Sequence, residues 1–170
     1  MPQGTNSATS DFETGLTNDD RLDLRTWLRL LTCANLIEGE VRKRLRDEFD
    51  ITLARFDLLA QLVRADRGLS MGELSRRLMV TNGNVTALID RLVGEKLVER
   101  RADPDDRRAQ IIEITSAGRR SFDRMSAAHA DWITDLFGDL GRSELEALHA
   151  SLANLKSSLA AARPSDRSSD

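Results

Sequence analysis

One stretch of this chain lacks charge, although charged residues make up 31% of the sequence. No Asp, Glu, Lys or Arg lies between Leu78 and Ile89. Apolar residues recur there at helical spacing, and the opposite face carries Thr81, Asn82, Asn84 and Thr86. Neutral amides and hydroxyls hydrogen-bond base edges in a major groove, Asn to adenine in particular. The stretch therefore predicts a helix that reads DNA, and the alternative is a plain capped helix with short polar side chains.

Arginines flank this polar face on both sides. Arg76 and Arg77 precede it and Arg91 follows it, so their guanidinium groups could hold phosphates. Ser70 is a further candidate contact at the start of the preceding helix. Gly83 would let the end of the reading helix approach the nucleic acid closely.

Two short helices are predicted around these residues. Ser70-x-x-Glu73 is a capping-box pattern, which begins a helix that runs to about Met79. Thr81 is the predicted N-cap of the next helix, to about residue 93, with Val80 at the staple position just outside it. A connection of only two or three residues makes the pair a helix-turn-helix unit.

A charged hairpin follows. Residues 97–101 and 110–114 are strand-like, and the segment that joins them has turn chemistry around Pro104. Its tip carries Asp106, Arg107 and Arg108. An arginine there could enter a minor groove, and a neighbouring carboxylate could hold its guanidinium in position. The alternative is a solvated charged loop.

Longer helices surround this centre. Two precede it, over about 20–48 and over 53–65, and Thr52 is the N-cap of the second. Two follow it, one from Thr115 to about residue 137 and one from a capping box at Ser143-x-x-Glu146 to about residue 161. A helix of about 28 residues suggests packing against a second chain. The last helix carries a continuous leucine stripe, which consists of Leu145, Leu148, Leu152, Leu155 and Leu159.

The expected fold is mainly α: a winged helix-turn-helix with a small β-hairpin wing, plus long N- and C-terminal dimerisation helices. Residues 1–18 and 163–170 are predicted to be a disordered arm and tail because they are polar and small. Residues 19–162 form the domain, with the DNA-binding winged helix at about 52–115. The dimerisation helices occupy about 19–48 and 116–162.

Composition further limits the classes of protein to which this chain could belong. At 170 residues the chain has the length of about one domain, and no apolar run is long enough to cross a membrane. With no secretory leader, one cysteine and two histidines, we expect a cytoplasmic protein without a disulfide framework, metal or cofactor. The net charge of −3 argues against a uniformly basic coat, so a DNA-binding face must be a local patch.

Residues 70–118 resemble the DNA-binding core of the MarR family of winged-helix regulators. The resemblance rests on the Asp-x-Arg wing tip at residues 106–108, on Ile114-Thr115 and Gly118 after it, and on residues 97–100 before it. The family usually has Gly where Lys96 stands, which leaves the geometry of that turn open. With the flanking helices, the resemblance covers about 20–162. It implies a homodimer whose first, fifth and sixth helices interleave and whose two winged helices read a pseudo-palindromic operator.

Three sequence segments, at residues 27–31, 55–59 and 78–86, are similar to those of a MarR subgroup that controls the catabolism of hydroxycinnamates and other aromatic acids. The similarity implies a small-molecule effector, an aromatic acyl-CoA thioester or an aromatic acid. Candidate effector-binding residues are Arg25, Trp27, Arg29, Cys33, Phe56, His129 and Trp132. Core packing is the alternative for the aromatic residues and His129, and a buried inert thiol is the alternative for Cys33.

The sequence therefore predicts a sequence-specific DNA-binding transcriptional regulator, a repressor that a small effector releases. Two alternatives remain. One is a helical dimerisation or partner-binding module that uses the winged helix for protein contacts, and the other is an acyl-CoA-handling enzyme. The sequence has no Gly-rich phosphate loop and no nucleophile–base order, so we expect no catalytic residues.

Overall fold

A computed structural model of the chain describes residues 21–65, 67–79, 81–103 and 110–162. The elements in order are α1 (Leu22–Phe49), α2 (Leu53–Val63), β1 (Leu69–Ser70), α3 (Met71–Leu78), α4 (Asn82–Gly94), β2 (Val98–Ala102), β3 (Gln110–Ile114), α5 (Ser116–Leu136) and α6 (Arg142–Ala162). The prediction of a mainly helical fold with a small wing is confirmed. The predicted arm, the tail, the wing tip and the staple residue Val80 lie outside the described residues.

Side-chain caps begin three of the helices at the predicted residues. Thr52 Oγ1 accepts the backbone N–H of Arg55 at 3.4 Å. At the start of α3, Ser70 and Glu73 form the predicted capping box, in which the Ser70 N–H donates to Glu73 Oε2 at 2.9 Å. Thr115 Oγ1 accepts the Gly118 N–H at 3.0 Å before α5. These caps satisfy N–H groups that have no partner inside the helix.

The predicted capping box at the start of α6 is wrong. The helix begins at Arg142, and the Gly141 N–H donates to Glu144 Oε2 at 2.8 Å. Glu144 lies three residues after Gly141, so its carboxylate closes the first turn earlier than expected. Glu146 instead pairs with Arg142 one turn before it, at 2.9 Å.

The sheet has a third strand that the sequence analysis did not predict. Its order is β1-β3-β2, with both pairings antiparallel. Strand β1 is two residues long, with Leu69 opposite Ile112 and Ser70 opposite Ile111. A two-residue strand is too short to display an alternating pattern, which is why periodicity could not reveal it.

The chain divides into two compact units, the first ending at His129 and the second beginning at Ala130. The first unit contains the core. Its most deeply buried side chains come from α1 to α4, β3 and α5 and include Leu45, Leu58, Leu59, Leu74, Ile89, Leu92, Ile112 and Met125. Burial of each such side chain contributes roughly 1.5–3 kcal/mol, so this core holds α4 against α2 and the sheet.

The second unit contains α6, which has no buried residue. The predicted leucine stripe lies along it, with Leu145, Leu148, Leu152 and Leu155 each 39–41% exposed. In the first unit, α1 also presents large apolar side chains to solvent, among them Leu24, Trp27 and Leu31. Of the helices in the described ranges, none is both long enough and apolar enough to cross a bilayer.

Candidate nucleic-acid interface

Helix α4 has one buried face, and its first two turns carry no charged residue, whereas Asp90 and Arg91 follow on the exposed side of its second half. Val85, Ile89 and Leu92 have no exposed surface, so they fix the inner face against the core. Asn84 and Thr86 are exposed on the outer side. The structure thus presents an amide and a hydroxyl outward from a helix whose opposite side is locked in place. This is the arrangement that hydrogen bonding to base edges requires.

The turn between α3 and α4 is tight, as predicted. Met79 ends α3 in the left-handed region, with φ of 55°, and its N–H donates to the Arg76 carbonyl at 3.4 Å. Thr81 is the N-cap residue of α4 in an extended conformation, although its hydroxyl makes no capping hydrogen bond to the described part of that helix. Its exposed hydroxyl is therefore available as a contact group.

The predicted phosphate-binding arginines are all on the surface. Arg76 and Arg77 lie in the last turn of α3 and Arg91 in the last turn of α4, and all three are exposed. Ser70 is half-buried, and its hydroxyl hydrogen-bonds Glu73 Oε2 at 2.8 Å. The hydrogen bonds from Ser70, from the backbone N–H first and the hydroxyl second, hold the pKa of Glu73 below its usual value. Ser70 therefore acts in the cap of α3, whatever it contacts outside.

The base of the wing is joined to the end of α4 by a hydrogen-bonded turn. The Lys96 N–H donates to Val93 O and the Leu97 N–H donates to Leu92 O, both at 2.9 Å, which is a Schellman ending. Lys96 has φ of 59°, the left-handed conformation that glycine adopts freely. The turn therefore keeps its geometry although Lys96 replaces the expected glycine.

Thr115 and Gly118 join the wing to α5. Thr115 Oγ1 donates to Lys96 O at 2.8 Å. A Cβ atom on Gly118 would lie 2.0 Å from Leu97 O, so only glycine fits there. The base of the wing, where β2 begins and β3 ends, is consequently held against the start of α5.

Two ion pairs hold α4 in place, and the sequence analysis predicted neither. Arg100 on β2 pairs with Asp90 on the exposed side of α4. Arg55 on α2 pairs with Glu95, the C-cap residue of α4. The partners are 10 and 40 residues apart, and no short-range pattern links residues at those separations. The wing-tip residues Asp106, Arg107 and Arg108 lie outside the described residues, as does the Asn82 side chain.

A family model described as MarR family matches residues 49–109. The crystal structure of a MarR family transcriptional regulator from Silicibacter pomeroyi is 32% identical, with a TM-score of 0.70. That similarity covers 85% of this chain and 99% of the other. The chain belongs to the MarR family. It is a DNA-binding transcription regulator, and the proteins of this family that it resembles are regulators rather than enzymes.

Two further proteins are similar to this chain. Sco3205 from Streptomyces coelicolor, solved in complex with DNA, has a TM-score of 0.69 over 91% of this chain and 95% of its own. At 24% identity that similarity shows the fold alone. The transcriptional activatory protein BadR from Rhodopseudomonas palustris is 32% identical over 105 residues. That match covers 59% of each protein.

The structure brings together only some of the candidate effector residues of this MarR chain. Phe56 is buried and stacks on His129, with ring centroids 5.4 Å apart, and on Phe122 at the same distance. Phe122 was not among the residues predicted for the effector site. Trp132 lies in the second unit and is buried there. The burial of Phe56 and Trp132 agrees with core packing, the alternative to effector binding, and His129 belongs to an aromatic stack.

Residues in the first half of α1 are more exposed than expected. Trp27 is 55% exposed, so core packing is the wrong interpretation for it. Cys33 is exposed, and the expectation of a buried thiol is also wrong. The reason is that α1 is buried only at Val41 and Leu45, towards its C-terminal end.

Charged groups lie near both aromatic sites. Trp27 borders a surface depression of about 280 Å³ whose other lining residues are Arg21, Asp23 and Leu24. Arg29 is exposed, whereas the Nε atom of Arg25 is buried with no hydrogen-bond partner among the described residues. Next to Phe56, burial raises the pKa of Asp57, as does Glu38, and His129 partly opposes the shift. The described residues contain no group of three His, Cys, Asp or Glu placed to hold a metal ion.

Proposed function

We propose that this MarR protein binds a pseudo-palindromic operator as a homodimer in the cytoplasm and represses transcription until a small effector releases it. Asn84 and Thr86 read base edges in the major groove. Arg76, Arg77 and Arg91 hold phosphates, and Arg108 enters the minor groove with Asp106 beside it. The observation that carries the proposal is the pair of exposed polar residues Asn84 and Thr86 in the uncharged first two turns of α4, a helix with three fully buried apolar residues on its inner face.

The exposed leucine stripe on α6 supports the homodimer. Leu145, Leu148, Leu152, Leu155 and Leu159 follow each other at alternating spacings of three and four, the pattern of a coiled-coil seam. An exposed apolar row of this length favours association with a second copy. A two-fold dimer would place two α4 helices about 34 Å apart, one turn of DNA, and so match a pseudo-palindrome.

The base-reading roles are tested on an operator obtained by binding-site selection from the host's genomic DNA. Asn84→Ala should weaken operator binding by about 1–3 kcal/mol while random duplex is bound almost as before. Arg77→Ala should weaken both by similar factors, because phosphates carry no sequence information. Fluorescence anisotropy at one fixed salt concentration measures all four affinities. Equal losses on both DNAs for Asn84→Ala would assign that residue to the backbone instead.

The same assay addresses the wing and the non-DNA alternative. Arg108→Ala should lose about 1–3 kcal/mol of operator affinity, and wild-type affinity in this variant would refute the minor-groove role. A salt titration distinguishes a regulator from a protein-contact module, since DNA affinity must fall steeply as counterions compete. An affinity that does not change with salt would favour the protein-contact module.

The direction of regulation has a second candidate. BadR is named as a transcriptional activatory protein, so activation is the alternative to repression. A reporter gene behind the selected operator distinguishes them. Repression predicts higher reporter expression in a strain that lacks this protein, and activation predicts lower expression.

We propose an aromatic acyl-CoA thioester as the effector. Support comes from the Phe56–Phe122–His129 stack, from the apolar depression at Trp27 beside Arg21, and from the resemblance to the aromatic-acid subgroup. A planar aryl group suits an apolar site, and arginines suit the phosphates of CoA.

Anisotropy competition with 4-hydroxycinnamoyl-CoA, free 4-hydroxycinnamic acid and CoA alone tests the effector class. The thioester should release the operator and the free acid should do so poorly. Release by the acid at lower concentration would replace CoA sensing with a phenolic-acid sensor. If none of the three acts, the proposed effector class is refuted, and Phe56 and Trp132 serve only the core. Appearance of free CoA or acid from the thioester would favour the enzyme alternative.

A further inference from the structure

Arg55 is a buried cation in the first turn of α2. It is 6% exposed, and no other charged residue in the described ranges is so deeply buried. One terminal nitrogen of its guanidinium donates to the Glu95 carboxylate, which belongs to the C-cap residue of α4. A single side chain of α2 is therefore bonded to the C-terminal end of α4, the helix proposed to read DNA.

Burial of this arginine is not explained by stability. Its Nε atom is buried with no hydrogen-bond partner among the described residues. Burial, followed by repulsion from Arg91, lowers the pKa of Arg55, and Asp50 only partly opposes this. The Glu95 side chain is 45% exposed, so solvent screens the pair from one side, and a pair of this kind with an unsatisfied buried donor adds little to stability. An ion pair instead fixes the relative orientation of its two groups, because its hydrogen bonds require one geometry.

The orientation of α4 at its C-terminal end affects the position of its base-reading residues. The helix has 13 residues and spans about 20 Å, so a small tilt at Glu95 displaces Asn84 near the other end. Val85, Ile89 and Leu92 hold α4 to the core by apolar contact, which resists separation more than rotation. Base readout tolerates displacements of only about 0.5 Å.

We propose that Arg55 is a positioning residue for base readout, which acts through Glu95 to fix the placement of Asn84 and Thr86 in the major groove. The proposal rests on the proposed role of α4 as the base-reading helix. It adds a specificity determinant that does not touch DNA and lies outside the helix-turn-helix.

The test is a double-mutant cycle with Arg55→Met, Glu95→Ala and both together. Arg64→Met is the matched control, because it removes the same charge from an exposed residue at the end of the same helix. For each protein the affinities for the selected operator and for random duplex are measured by anisotropy at one salt concentration. Thermal unfolding by circular dichroism shows that the protein is folded at the assay temperature.

Each single substitution should lower the ratio of operator to random affinity at least about tenfold, the size of one lost base contact. The ratio for the double variant should be no lower than that of the more impaired single variant, because both substitutions break the same ion pair. Arg64→Met should change the ratio less than about twofold. If Arg55→Met does not fold, Glu95→Ala alone decides by the same ratio.

A ratio that stays at the wild-type value in folded variants would overturn the positioning role and leave Arg55 merely structural. Multiplying effects in the double variant would also overturn it, because the two residues would then act separately. A wild-type protein with no preference for any selected operator would instead refute the proposed function itself, and the positioning role with it.

Discussion

Lys96 occupies a backbone conformation that suits another residue. It follows the C-terminal end of α4 with φ of 59°, and the Schellman hydrogen bonds around it leave no freedom to relax. For a residue with a Cβ atom this conformation costs about 1 kcal/mol. The fold keeps the turn because the buried residues on both sides, Leu92 and Val98, over-determine it.

We therefore expect Lys96→Gly to raise the free energy of unfolding by about 1 kcal/mol. Lys96→Ala is the control, since it removes the same side chain and charge but keeps the Cβ atom. Urea denaturation followed by circular dichroism gives both values. An equal gain from alanine would attribute the effect to the side chain and not to the backbone.

Individual hydrogen bonds and ion pairs also differ in whether the sequence could predict them. The caps at Thr52, Ser70 and Thr115 were predictable because each hydrogen bond joins residues three positions apart. The pairs Arg55–Glu95 and Arg100–Asp90 were not, because their partners meet only after the core has formed.

At the scale of the element, α4 contains a glycine that the fold does not require. Gly83 is helical with no positive φ, and a Cβ atom there would meet nothing within 4 Å. Glycine inside a helix is less stable than alanine by about 0.5–1 kcal/mol. We therefore propose that the missing side chain at Gly83 lets DNA approach this turn closely.

Gly83→Ala should stabilise the protein by up to about 1 kcal/mol and weaken operator binding about tenfold. Gly72→Ala is the matched control, because Gly72 is the second residue of α3 as Gly83 is of α4, and it too has open space around it. It should stabilise similarly while the ratio of operator to random affinity stays unchanged. Thermal unfolding and anisotropy measure the two effects. Unchanged operator binding by Gly83→Ala would show that α4 does not approach DNA closely at this turn.

Elements with strong internal patterns were predictable, and those without were not. The ranges of α1, α4 and α5 agree with the prediction to within a few residues, because their apolar spacing repeats over several turns. Strand β1 exists only through its pairing with β3. The start of α6 lies two residues earlier than predicted, because Glu144 and not Glu146 closes the first turn.

At the scale of the whole molecule, apolar periodicity does not say which chain covers a face. The leucine stripe on α6 and the long helix α1 were both predicted to take part in dimerisation, and in the protomer the stripe and large apolar residues in the first half of α1 are exposed. Trp27 and Cys33 were misplaced for this reason. Their burial cannot be derived from spacing, because spacing is the same whether the covering surface belongs to this chain or to another.

The proposed dimer leads to a prediction for α6. The double substitution Leu152→Lys and Leu155→Lys places two charges in the apolar seam and should shift the mass in solution from about twice 19.0 kDa to 19.0 kDa. Operator affinity should fall with it, because one protomer reads only half of a palindrome.

Ser157→Lys is the control for this prediction, since it adds charge to α6 at a position off the stripe. It should leave the mass unchanged. Multi-angle light scattering after size exclusion gives the masses. A doubly substituted protein that keeps the wild-type mass would show that α6 does not hold the dimer together.

Ser70 belongs to two elements at once: it is the last residue of β1, paired with Ile111, and the N-cap of α3. The sheet and the helix-turn-helix therefore share a residue and have no linker between them. One inserted residue at this junction would either shift the strand by one position and reverse its faces, or separate the cap from its helix. Insertions and deletions are expected to be rejected here during evolution, so descendants of this protein should inherit the junction between wing and helix at constant length.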